Sequence, residues 1–308
     1  MNVKKASIII PVKNEQDSIE QCIQSIKNIL KEELDLEIIV VDNGSNDKTC
    51  DIVRSLNNVS LFIHPELNVS GLRNFGAKVA NGEILAFVDA DCFVDKSWLK
   101  NAIPYFSSPR IGIVGSMAEV PPNANSIQKS WNSFRTRNRK DKAVSWINSM
   151  NMIVRRDVFF EFEGFNEKLT TCEDVDFCYR VSSKYKIISD PKILVFHAGE
   201  ADSYKKFFMK ELWRGHSNYQ GIRSHGLVIR EIPSLILPIY YVASFLVGII
   251  LIMSGKYFLG FFCIFGFSIM IALYYAAFIE VKYFLHIFVL SMLYFWARFC
   301  AIFQKIKR

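Results

Sequence analysis

The texture of the chain changes abruptly near residue 231, and that change limits what the protein can be. Residues 232–255 hold no charged side chain, and neither do residues 257–279. Each run exceeds the roughly 20 apolar residues needed to cross a hydrocarbon core. A single buried core helix could account for one such run, but two in succession point to a membrane. A third apolar run, 283–303, is interrupted by His286 and Arg298. Its length of about 20 residues favours a third span, although Lys305, Lys307 and Arg308 would then lie outside, against the positive-inside tendency. If the third run lies in the interface instead, that basic end returns to the cytoplasm.

Lys205, Lys206, Lys210, Arg214, Arg223 and Arg230 cluster just ahead of the first run. Such a cluster suits an anionic cytoplasmic leaflet and places this side of the anchor inside. Between residues 203 and 223, Tyr204, Phe207, Phe208 and Leu212 gather on one side with lysines around them, the pattern of a basic amphipathic helix on a membrane surface. The expected organisation is a soluble domain over 1–202, an interfacial helix region over 203–230, and a transmembrane region of two or three helices over 231–308. The chain carries a net charge of +7, of which the first 230 residues contribute +3. That is a weak attraction for nucleic acid, and no recognisable nucleic-acid motif accompanies it, so no such partner is expected. Lys4 and Lys5 precede a short apolar run, but Lys13, Asn14 and Glu15 end it without a cleavage-type sequence, so these residues do not read as a signal peptide. The seven cysteines form no CxxC pair, which fits a reduced compartment without a disulfide framework or zinc site.

Within the soluble part, strand-like and helix-like segments alternate. Residues 7–12 form a short apolar strand, and Ile19, Cys22, Ile23, Ile26 and Leu30 follow at helical spacing. Residues 37–41 predict a second strand, with Asp47 as a cap for the next helix. Residues 59–63 predict a third strand, 70–79 a helix, and 83–88 a fourth strand, apolar throughout and so buried on both faces. This alternation predicts an α/β fold, a Rossmann-like, mostly parallel sheet with flanking helices. Further strands are expected at 111–115, 150–154 and 193–196, with a helix at 173–183. The stretch 121–142, rich in Asn, Ser, Arg and Lys, reads as a mobile loop. Ligands of such sheets sit outside the carboxyl ends of the strands. Three polar clusters meet at that rim: residues 11–15, 42–45 and 89–91.

Asp89-Ala90-Asp91 carries the sharpest chemistry. Two carboxylates one residue apart at a strand end can share a hard divalent cation, and Mg²⁺ and Mn²⁺ accept carboxylate, water and phosphate oxygens together. The cation then neutralises a departing diphosphate. A DxD alone is also what an ordinary solvated turn looks like, so its position after a buried strand matters.

SIIIPVKNE, EIIVVDNGSND, GLRNFGAKVANGEILAFVDAD and GFNEKLTTCEDVDFCYRV, in that order between residues 6 and 197, resemble a family 2 glycosyltransferase with a GT-A fold. The resemblance implies that Pro11, Glu15, Asp42, Asn43, Arg73 and Asp89 contact the nucleotide sugar. Asn43 stands where many relatives have a second Asp, which leaves the nucleobase open. It further implies that Asp91, Asp89 and His197 serve the metal, Mn²⁺ or Mg²⁺. Asp174 is implied as the catalytic base beside Glu173, since an inverting transfer needs one carboxylate to take the acceptor proton. The same two carboxylates also suit a helix N-terminus through its dipole. Trp213-Arg214-Gly215-His216 loosely resembles the basic-aromatic segment that closes over diphosphate or acceptor, and Cys172 reads as packing.

The expected activity is inverting transfer of a sugar from a nucleotide diphosphate to a membrane-associated acceptor, a lipid or polyprenyl-linked glycan. A processive polysaccharide synthase resembles this chain in its catalytic part but carries a QxxRW-type segment, and the nearest sequence here is Leu212-Trp213-Arg214-Gly215. A catalytically silent membrane scaffold would not need the intact DxD or the Glu173-Asp174 pair.

Overall fold

The computed structural model describes residues 3–29, 34–136, 142–169, 171–225, 232–278 and 280–303. Leu30, Arg230, Lys305, Lys307 and Arg308 lie outside the described residues. The chain divides into two compact units, one of 1–121 with 139–199 and one of 122–138 with 200–308.

The first unit is built on β1 (Lys5–Val12), α1 (Ile19–Lys27), β2 (Asp35–Asp42), α2 (Thr49–Ser55), β3 (Ser60–Ile63), α3 (Val69–Val79) and β4 (Ile84–Phe87). β5 (Cys92–Val94), α4 (Trp98–Ala102) and β6 (Ile111–Gly115) follow. After α5 (Ser126–Thr136), which belongs to the second unit, come β7 (Lys142–Val144), β8 (Met152–Arg155), α6 (Arg156–Glu161), α7 (Glu173–Ser182), β9 (Lys186–Ser189) and β10 (Val195–His197). Eight strands form one sheet in the order β3-β2-β1-β4-β8-β6-β9-β7, and β5 pairs with β10 separately. β3, β2, β1 and β4 are mutually parallel, while β8 runs antiparallel between β4 and β6. The sheet is therefore mostly parallel but mixed, as expected of a GT-A fold.

The strand period of two sorts side chains onto two faces. Ile8 and Ile10 of β1, Ile38 and Val40 of β2, and Ile84 and Ala86 of β4 join one core, against Cys22, Ile23 and Ile26 of α1 and Trp98 of α4. Their neighbours Ile9, Ile39, Val41, Leu85 and Phe87 join the other, against Leu72 of α3, Phe159 of α6 and Phe177 of α7. β4 is buried along its whole length, as its unbroken apolar run predicts. Helices on both faces leave the carboxyl ends of β1, β2 and β4 as the open rim.

The second unit contains α5, α8 (Tyr204–His225), α9 (Ile232–Met253), α10 (Tyr257–Phe278) and α11 (Phe284–Ala301). The expected mobile loop at 121–142 is corrected here: its middle is α5, and 137–141 lie outside the described residues. Ile127, Trp131 and Phe134 recur at helical spacing inside that polar stretch, and the first two pack against Phe207 of α8 and Leu290 of α11. Three helices are long and apolar enough to cross a membrane, Ile232–Met253, Tyr257–Ala277 and Val281–Ala301. The two polar interruptions of the third are both engaged by α8. Tyr204 Oη lies 2.8 Å from His286 Nδ1, and Arg298 Nη2 donates to Glu211 Oε2 at 2.7 Å. A Cβ added at Gly215 would stand 2.7 Å from Ala301 Cβ. α8 and α11 thus lie side by side in the same direction, from Tyr204 beside His286 to Gly215 beside Ala301.

Candidate active site

The rim of the sheet gathers most of the residues singled out above. β1 ends at Val12, whose carbonyl accepts from Asn43 N at 2.8 Å and so holds the two polar loops together. A cleft of about 360 Å³ opens there, lined by Pro11, Glu15, Asn43, Arg73, Asp89 and Asp91, with Lys13 at its wall. Asp42 lies beneath it and is fully buried. Its carboxylate accepts from Ser45 N at 2.8 Å and from Ser45 Oγ, closing the 42–45 turn. Asn43 Nδ2 donates to the carbonyls of His64, Pro65 and Leu67, and its Oδ1 accepts from Lys13 Nζ at 2.9 Å. An aspartate at this position could accept from Lys13 but could not donate to three carbonyls. The departure from the family pattern at Asn43 therefore serves to tie down the loop before α3. Burial, followed by the charges of Asp91, Asp47 and Asp89, raises the Glu15 pKa against the hydrogen bond from Ser18.

The two aspartates of the DxD have different partners. Arg73, delivered by α3 and 3% exposed, donates through Nη2 to Asp89 Oδ1 and through Nη1 to Glu173 Oε1, both at 2.7 Å. Burial opposes the charge of this guanidinium, yet Asp89, Glu173 and Asp174 outweigh it and raise its pKa. Asp91 instead meets His197, whose Nε2 lies 2.9 Å from Asp91 Oδ2. The antiparallel pairing of β10 with β5 sets His197 opposite Cys92 and so delivers it to the DxD turn.

Asp91, His197 and Cys92 present ligand atoms within 4.8 Å of one another. The carboxylate suits Mn²⁺ or Mg²⁺, while an imidazole beside it suits a transition metal and so favours Mn²⁺ of the two. Burial, then the charges of Asp89 and Asp91, holds the Cys92 thiol well above its ordinary pKa, which leaves it the poorest donor of the three. Gly199 closes over this cluster: a Cβ there would meet Asp91 Oδ2 at 2.0 Å and His197 Nε2 at 3.0 Å. Gly199→Ala is therefore expected to displace the Asp91 carboxylate and weaken Mn²⁺ affinity by at least about tenfold, on the scale of a disturbed ligand support. Mn²⁺ titration of the purified chain checks this, and unchanged affinity would show that Asp91 does not bind the ion.

Glu173 and Asp174 open α7, whose preceding residue, Cys172, adopts a left-handed backbone with φ 62°. A non-glycine residue held there is the kind of local strain found where geometry must aim a side chain. Cys172 thus does more than pack: it turns the chain so that both carboxylates enter the first turn of the helix. Asp174 Oδ1 accepts from its neighbour Val175 N at 2.8 Å, and Oδ2 from Ser149 N at 3.3 Å. Burial, then the charge of Glu173, pushes the Asp174 pKa up to about 7. Lys13, Ser149 and Gly199 were not expected as site residues. Lys13 was at least visible inside the first motif, while the other two become relevant only through contacts distant in sequence.

The sequence model described as Glycosyl transferase family 2 matches residues 7–163. The glycosyltransferase AglE of Haloferax volcanii is 31% identical over 185 residues, 57% of this chain and 60% of the relative. The O-antigen chain rhamnosyltransferase RfbN of Salmonella typhimurium is 27% identical over 212 residues, 63% of this chain and 66% of the relative. Both matches span less than two thirds of the relative's own length. Among solved structures, the mannosyltransferase PcManGT from Pyrobaculum calidifontis, in complex with GDP-Man and Mn²⁺, superposes with a TM-score of 0.65 at 16% identity, covering 96% of this chain and 88% of that one.

Proposed function

Since the chain belongs to glycosyl transferase family 2, we propose that it moves a sugar with inversion from a nucleotide diphosphate to a membrane-associated acceptor, a lipid or polyprenyl-linked glycan, in glycan or cell-envelope biosynthesis. The observation that carries this reading is the Arg73 bridge, which joins the first aspartate of the DxD to the Glu173-Asp174 pair. One buried guanidinium thereby links the residues assigned to the diphosphate with those assigned to the acceptor. Pro11, Glu15 and Asp89 line the donor cleft, Asp42 and Asn43 set the shape of its wall, and Asp174 takes the acceptor proton. Asp91 and His197 are the residues to hold Mn²⁺ or Mg²⁺, which when bound neutralises the charge that gathers on the leaving diphosphate. That PcManGT was crystallised with GDP-Man and Mn²⁺ supports a nucleotide sugar and a divalent ion, and the name of RfbN supports an envelope glycan.

The catalytic part, residues 1–202, is assigned to the cytoplasm, next to a multi-pass anchor. α9 and α10 cross and return. α11 is assigned to the interface because it runs beside α8, and a helix with Lys205, Lys206 and Met209 on its exposed face does not sit at hydrocarbon depth. A reporter fused after Arg308 is expected on the cytoplasmic side, and a reporter active only outside would restore three spans.

The test of function is transfer by membranes containing the protein, given a labelled panel of nucleotide sugars with Mn²⁺ or Mg²⁺ and followed by lipid extraction. Label entering the lipid phase from one donor supports the reading. Label entering only water-soluble product would sink the membrane acceptor. Absence of metal-dependent nucleotide binding would favour the silent scaffold.

A further inference from the structure

Trp146 stands on the same rim as the donor cleft, beside the base. β4 and β6 both pair antiparallel with β8 and so run parallel to each other. Gly115, at the end of β6, therefore lies on the rim that holds Asp89 and Asp91. A Cβ added at Gly115 would meet Ile147 Cγ2 at 2.9 Å, so the segment after β7 crosses this rim. It is fastened to α7 twice. Ile147 O accepts from Cys178 Sγ at 3.7 Å, and Ser149 N donates to Asp174 Oδ2 at 3.3 Å. Ile147 is buried, whereas its neighbour Trp146 is 40% exposed. The three residues from Trp146 to Ser149 span at most roughly 11 Å of chain, which keeps the indole within about one sugar ring and its linkage of the base.

The surroundings of Asp174 suit a neutral nucleophile. Among the described residues, its carboxylate accepts only from the backbone N–H groups of Val175 and Ser149. Both Nη groups of Arg73 are engaged by Glu173 and Asp89. A phosphate oxygen brought to this place would face the carboxylates of Asp174 and Glu173. It would also bring no proton for a base to take, because the second pKa of a phosphate monoester is about 6. A sugar hydroxyl is uncharged and keeps its proton until it attacks. Its oxygen then bonds to the donor's anomeric carbon as the bond from that carbon to the diphosphate breaks. The electron pair of that bond leaves with the diphosphate, and the hydroxyl proton passes to Asp174. An indole offers the apolar C–H face of a sugar ring a large, rigid surface at low entropic cost. We propose that Trp146 is the platform for a sugar ring of the acceptor, so that the chain extends a carrier already bearing a sugar and does not glycosylate a bare lipid phosphate. This rests on the transfer reaction proposed above and narrows its acceptor. A priming reaction that attaches the first sugar to the carrier must then come before it.

The test uses the full chain in detergent micelles with the labelled donor and increasing amounts of total lipid extract as acceptor. Mass spectrometry then counts the sugars on each labelled product. Two or more sugars on the labelled lipid are expected. Trp146→Ala should raise the amount of extract needed for the half-maximal rate about tenfold, the scale of one lost aromatic stacking contact. Trp146→Phe should recover most of that loss, while the donor KM and metal-dependent nucleotide binding stay unchanged in both variants. A single sugar on the labelled lipid would overturn the platform and leave lipid-directed transfer standing. Label only in a water-soluble product of two or more sugars, still dependent on Trp146, would keep the platform and remove the membrane acceptor. Tryptophan also anchors proteins at membrane interfaces. Release of Trp146→Ala from membranes, with its acceptor requirement in micelles unchanged, would make Trp146 an anchor and overturn the proposal.

Discussion

Asp174→Asn is expected to slow sugar transfer by about 10³-fold, within the range that a positioned general base contributes, while metal-dependent nucleotide binding survives. The amide keeps one oxygen to accept from Val175 N or Ser149 N, so α7 keeps its first turn. It cannot take a proton from an acceptor hydroxyl. The wild-type protein should also show the base in its pH profile. Burial and the negative charge of Glu173 favour the protonated acid, whereas the two N–H donors and Arg73 oppose them, with the balance near 7. A base works only after losing its proton, so the rate should rise with pH through neutrality and level off above it. Single-turnover transfer by the two proteins across that range decides the matter. A rate that is flat through neutral pH, or an Asn variant within a fewfold of wild type, would remove Asp174 as the base.

Much of this site was legible because its chemistry is local in sequence. A polar cluster directly after a buried parallel strand is bound to appear at the carboxyl rim, so Pro11, Glu15, Asn43, Asp89 and Asp91 could be placed together from the strand pattern alone. What the sequence could not disclose were partners. Arg73 was assigned to the nucleotide, yet both its Nη groups are engaged by Asp89 and Glu173, the latter 100 positions away. Asn43 reads as a departure from an acidic motif and is in fact the donor that fastens a loop. The helix α5 was missed because its polar residues dominate composition, while Ile127, Trp131 and Phe134 supply only a narrow apolar stripe. His286 and Arg298 looked like defects in a span. They are instead the residues by which α11 recognises α8, a pairing that no local pattern announces.

Arg73→Met is expected to destabilise the fold by about 3 kcal/mol, the cost of leaving the buried Glu173 and the partly buried Asp89 without their cation. Two acids lose their partner at once, and Asp174, whose charged form Arg73 also favours, is left more easily protonated. Thermal or denaturant unfolding of the full chain in detergent micelles, followed by tryptophan fluorescence, measures the loss. Arg73→Lys should fall between, because a single ammonium has no planar fork to reach Glu173 and Asp89 together. The decisive comparison is a triple variant, Arg73→Met with Asp89→Asn and Glu173→Gln. Replacing a buried ionic group as a whole is often neutral for stability, unlike removal of one member. The triple variant should therefore recover most of the lost stability and none of the activity. That separation would identify the bridge as an arrangement kept for catalysis, since stability alone could be had without it. If Arg73→Met unfolds at the wild-type midpoint, the carboxylates are not dependent on the guanidinium, and the link between the DxD and the Glu173-Asp174 pair loses its physical basis.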